Sequence, residues 1–112
     1  MKKTTETQLV KACLDYLSMR GIMAWRNNSG AFASEHKGRK RFVRFGTPGA
    51  PDIMGILPPA DGGRFLGIEC KVGKNKQTPA QHAWAFQCER SGGLYVLARS
   101  VDDVHDALKV IE

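Results

Sequence analysis

The chain has 112 residues, of which 42% are apolar and 25% charged. That ordinary globular composition excludes wholesale disorder and predicts one domain, 1–112, large enough to bury a real core. Seventeen Lys and Arg against eleven Asp and Glu leave a net charge of +6, which favours a polyanionic partner. No apolar run approaches the ~18 residues of a membrane span, and there is no amphipathic basic helix or lipidation signal, so nucleic acid is the expected partner and no membrane is. The basic Met1-Lys2-Lys3 start leads into an amphipathic pattern, which argues against a signal peptide.

In chain order, Leu9, Val10, Cys13, Leu14 and Leu17 recur at three- and four-residue spacing and predict a helix from Thr5 to about Arg20. Thr5 and Gln8 fit a capping box at its start. Ile22 to Arg26 reads as a strand that ends in the turn Asn27-Asn28-Ser29-Gly30. Arg39 to Phe45 reads as a second strand, inside the densest basic stretch: Lys37, Arg39, Lys40, Arg41 and Arg44. A solvated basic loop and a phosphate-binding patch would look alike at this point.

The turn Gly46-Thr47-Pro48-Gly49-Ala50-Pro51 delivers Asp52 to the mouth of an apolar strand, Ile53 to Leu57. Pro58 to Gly63 breaks that strand, and Arg64 to Val72 makes the next. Thr78-Pro79-Ala80-Gln81 opens a helix to about Ser91, again with a capping box. Leu94 to Ala98 is a short buried strand, and a last helix follows Ser100. The expected order is α-β-β-β-β-α-β-α, an α/β fold with a mixed sheet flanked by helices. Trp25, Trp84 and Phe86 are expected as core or dimer contacts. The three cysteines, at 13, 70 and 88, have neither disulfide-framework nor CxxC spacing, and point to a reducing cytoplasm.

The unusual choices are acidic. If the strands on either side of Pro58–Gly63 pair antiparallel about the centre of that loop, Asp52 falls directly opposite Glu69 on one face. Two carboxylates that close repel unless a proton or a cation lies between them. Oxygen-only ligands favour a hard cation, Mg²⁺ or Mn²⁺. Lys71, two residues along the same face, could steer a phosphate or hold a water and help deprotonate it. The same residues would also serve as a cross-strand surface pair, and a one-residue slip in register would separate the carboxylates.

Pro51-Asp52, a sixteen-residue spacer and Glu69-Cys70-Lys71 resemble the PD-(D/E)xK nuclease signature. Gly49-Ala50-Pro51-Asp52-Ile53, Gly67-Ile68-Glu69-Cys70-Lys71 and Lys76-Gln77-Thr78-Pro79-Ala80-Gln81 together resemble the virus-type replication-repair nuclease (VRR-NUC) domain over nearly the whole chain. The resemblance implies an endonuclease-like core and divalent-metal-dependent cleavage of DNA. It implies Asp52, Glu69 and the backbone carbonyl of Cys70 as metal ligands, with Lys71 as the catalytic lysine. Glu6, on the first helix, matches the family's further acidic residue; its rival role is a carboxylate at a helix N-terminus. Gln81 matches a motif glutamine, although capping already accounts for it. Arg26, Lys37, Arg39, Lys40, Arg41, Arg44, Lys74 and Lys76 are the expected DNA contacts. A homodimer acting on branched DNA is implied, in a phage or bacterial setting (the host cytoplasm, if phage-encoded).

Overall fold

In a computed structural model, residues 3–28, 30–36, 38–45 and 47–110 are described, with the backbone alone for 30–36, 39–45 and 110. The elements are α1 (Glu6–Met19), β1 (Met23–Arg26), β2 (Gly30–His36), β3 (Arg39–Phe45), β4 (Ile53–Ile56), a 3₁₀ turn (Pro59–Asp61), β5 (Phe65–Cys70), α2 (Pro79–Arg90), β6 (Leu94–Ala98) and α3 (Val101–Val110). The fold is mixed α/β and compatible with a small PD-(D/E)xK-like core. It contains one strand more than the pattern predicts: β2, rich in small residues, pairs with β3 from Gly30↔Phe45 to His36↔Arg39.

The main sheet has the order β1-β4-β5-β6. Its first three strands are antiparallel, and β6 joins β5 in parallel after α2 carries the chain back. The β4–β5 register runs from Ile53↔Ile68 to Ile56↔Phe65, so the pairing expected from the loop centre holds.

Alternation along the strands divides the sheet into two faces. Leu66, Ile68 and Cys70 of β5 join Ile53, Val96 and Ala98 beneath α1 and α3. Helix α1 contributes Leu9, Val10, Cys13 and Leu17, and α3 contributes Val104 and Leu108. Each large aliphatic side chain buried there stabilises the fold by about 1.5–3 kcal/mol. On the opposite face α2 covers β5 and β6, where the Trp84 ring packs between Phe65 (5.6 Å) and Tyr95 (6.2 Å). Trp84 is thus packed as expected, whereas Trp25 and Phe86 are 42% and 63% exposed and lie outside the core. No helix among the described residues is long and apolar enough to cross a membrane.

Candidate metal centre

Both helices that lead toward the sheet begin with the same device. Thr5 Oγ1 accepts from Gln8 N (3.1 Å) and Gln8 Oε1 from Thr5 N (2.9 Å). At α2, Thr78 Oγ1 accepts from Gln81 N (3.2 Å) and Gln81 Oε1 from Thr78 N (2.8 Å). These caps fix where the first turns stand, and the first turn of α1 carries Glu6.

Asp52 arrives at the mouth of β4 under tight control. Asn27, just beyond β1, donates its backbone N–H to the Asp52 carbonyl (2.7 Å) and its Nδ2 to the Pro51 carbonyl (3.1 Å). The carboxylate oxygen Oδ2 of Asp52 accepts from Cys70 N at 2.8 Å. Upstream, Gly49 has φ +81°, and a Cβ there would stand 2.3 Å from the Ala80 carbonyl oxygen. The turn before Asp52 therefore seats directly on the first turn of α2.

Glu69 is only 2% exposed, which removes the reading of a solvated surface pair. Its Oε1 accepts from Gln81 Nε2 at 3.3 Å, while Oε2 is buried with no hydrogen-bond partner. One carboxylate oxygen each from Glu6, Asp52 and Glu69 lie within 4.8 Å of one another. Burial, then the Asp52 carboxylate beside it, push the Glu69 carboxyl up to about 9. Glu6 adds to the rise, and Lys71 opposes it.

These three side chains can hold a metal ion. A buried carboxylate with one oxygen lacking any protein donor, clustered with two further carboxylates, fits a cation, and the donors are all oxygen. The Cys70 thiol is no rival ligand. It points to the other face, where its hydrogen bond with Cys13, and burial, hold it well above the usual thiol range.

The other expected site residues distribute around this cluster. Lys71 is half-buried, its N–H bonded to the Ala98 carbonyl (3.0 Å), level with the end of β6. Arg26, Lys74 and Lys76 are exposed. Arg39, Lys40, Arg41 and Arg44 lie on β3, described by its backbone, and Lys37 falls outside the described residues. Gln81 has both of its candidate jobs: the oxygen caps the helix and the nitrogen reaches Glu69. The cavity of about 360 Å³ lined by Arg64, Phe65, Trp84 and Cys88 sits at the opposite end of β5.

The sequence singles out Arg26, the last residue of β1, as a DNA contact and gives Asn27 no role beyond a turn. The signal was present in the strand pairing, because extending Arg26↔Ile53 by one residue sets Asn27 beside Asp52.

No protein-family model matches the chain, and no curated protein matches it.

Proposed function

We propose that this protein is a metal-dependent, structure-specific DNA endonuclease of the VRR-NUC kind. In that reading it acts as a homodimer of Holliday-junction-resolving type in phage or bacterial DNA replication, repair or recombination. The observation that carries the proposal is the buried Glu69, its Oε2 unpaired, clustered with Asp52 and Glu6, with Lys71 just beyond the end of β5 and near enough to oppose the rise of the Glu69 carboxyl.

Asp52, Glu69, Glu6 and the Cys70 carbonyl would hold Mg²⁺ or Mn²⁺. Such an ion supplies Lewis acidity that neutralises charge on the scissile phosphate and makes water easier to deprotonate. Glu69 must give up its proton for the ion to bind, and Gln81 keeps its carboxylate turned inward. Asp52 is fixed by Cys70 N, which holds its carboxylate in the cluster. Lys71 Nζ orients the phosphate and helps to draw the proton from the attacking water. The water oxygen would bond to phosphorus as the P–O bond to the leaving strand breaks, with the water's proton passing to bulk solvent and the leaving oxygen taking a proton from solvent. Exposed Arg26, Lys74 and Lys76, with the basic residues of β3, would contact DNA phosphates, and a two-fold dimer would present two such sites to two strands.

The test is a cleavage panel of four-way junction, flap, splayed arm, linear duplex and single strand, with Mg²⁺, Mn²⁺ or EDTA, run beside light scattering. Paired symmetric nicks in the junction, made by a dimer and absent with EDTA, are expected. Asp52→Ala and Glu69→Ala should abolish cleavage while DNA affinity holds or rises. A preference for flaps or single strands would move the substrate assignment. Binding that needs no metal and cuts no substrate would leave a catalytically silent DNA-binding module.

A further inference from the structure

The segment from Gly73 to Gln77 links the strand bearing Glu69 and Lys71 to the helix bearing Gln81, and it carries exposed Lys74 and Lys76. A short, polar, glycine-containing connection of this kind has little apolar surface with which to hold itself in place. Here it is held by a side chain from another strand. Because β6 runs parallel to β5 with Cys70↔Ala98 in register, Arg99 emerges level with Lys71. Its Nη1 donates to the Gly73 carbonyl (3.1 Å) and its Nη2 to the Asn75 carbonyl (2.8 Å), one on each side of Lys74.

Arg99 itself is fixed from behind, since its backbone N–H donates to Asp103 Oδ2 (2.8 Å) in the first turn of α3. The far end of the segment is tied separately, by Gln77 Nε2 to the Tyr95 hydroxyl (2.8 Å). A planar guanidinium can bridge two carbonyls at once, which a lysine ammonium does not do with the same geometry. Among the described residues this guanidinium forms no ion pair, so its charge adds to the segment that carries Lys74 and Lys76.

We infer that Arg99 is a positioning residue for DNA: by gripping the Gly73 and Asn75 carbonyls it sets Lys74 and Lys76 at the edge of the carboxylate cluster, where they take the phosphates flanking the scissile bond. The inference rests on the nuclease reading above. It says that Arg99 acts through the two lysines and not by touching DNA itself.

A thermodynamic cycle separates these roles, using the full-length protein and whichever DNA the wild type cleaves. Arg99→Ala should raise KM on the order of tenfold, the cost of ordering two freed side chains on binding, with kcat unchanged. Amide exchange at residues 73–76 should quicken in the same variant, and Arg99→Lys should restore only part of both. In a Lys74→Ala/Lys76→Ala background, adding Arg99→Ala should leave KM where the lysine changes put it. Additive losses would mean that Arg99 contacts DNA directly, and would overturn the inference. So would an Arg99→Ala protein with faster exchange and a wild-type KM, or a lysine double variant that binds like the wild type. If the wild type neither binds nor cuts DNA, the nuclease reading itself falls, which is seen before any variant is made.

Discussion

Helices α1 and α2 start alike and end up with different duties. Each opens on Thr-x-x-Gln, and the two boxes close with hydrogen bonds that agree within about 0.1 Å. Capping consumes only the amide oxygen of the glutamine and leaves its nitrogen free to donate. Gln8 is exposed, and the whole contribution of its helix start to the cluster is Glu6. Gln81 is half-buried, and its spare nitrogen meets Glu69. A local motif thus acquires a second role without changing its own geometry; what differs is the neighbour that tertiary packing brings.

The strongest way to break this difference is to unseat α2 alone. Gly49→Ala forces a side chain into a left-handed backbone and into the fixed carbonyl of Ala80, and should cost about 3 kcal/mol or more in urea unfolding. Metal affinity should fall with it. Gly21, behind α1, has a similar φ of +72° but open space around it, so Gly21→Ala should cost only about 1–2 kcal/mol.

The pH response should also belong to the α2 side. In the metal-free folded state Glu69 keeps its proton up to about 9, against an ordinary value of 4.5. The folded protein therefore binds more protons than the unfolded chain between those values. This contribution to stability is fully present below about pH 4.5 and is lost as pH rises toward 9. Thermal melts in EDTA should show that decline, and Glu69→Gln should flatten it. A wild type and a Glu69→Gln variant with parallel pH profiles would contradict the assignment.

The smallest and most direct comparison exchanges each glutamine for alanine. Gln8→Ala should cost under about 1 kcal/mol, because it opens a capping box, and Gln81→Ala about 1–3 kcal/mol more, because it also leaves the buried Glu69 Oε1 without its donor. Gln81→Ala should in addition weaken Mn²⁺ binding by about 10–100-fold in calorimetry, as loss of a ligand's supporting hydrogen bond does. Gln8→Ala should not.

Patterns that repeat within a short window were legible in the sequence. The two capping boxes, the apolar stripe of α1, and the hairpin that sets Asp52 against Glu69 all depend on residues close in the chain, and each appears in the structure. The fold class followed from the same patterns, although β2 did not register, because Gly30-Ala31-Phe32-Ala33 has little β-branched or alternating character. What escaped depends on elements distant in sequence. Asn27 matters through the β1–β4 pairing and Arg99 through the parallel β5–β6 pairing, and no local pattern announces either. The exposure of Phe86 was equally hidden, since helix periodicity places a residue on a stripe without saying how wide the covered stripe is.

The three carboxylates come from the first helix, from the residue just before β4 and from β5, so the cluster spans parts of the chain that separate on unfolding. An ion held there would act as a fastener as well as a reagent. Unfolding would disperse its ligands, so each increment of binding energy would count toward folding. At a free-ion concentration a hundred times its dissociation constant, that fastening amounts to about 2.7 kcal/mol, a substantial share of the stability of a small domain. Chelation would then weaken the scaffold along with the chemistry, and the divalent-ion supply of the cell would govern both how fast the protein works and how long it lasts.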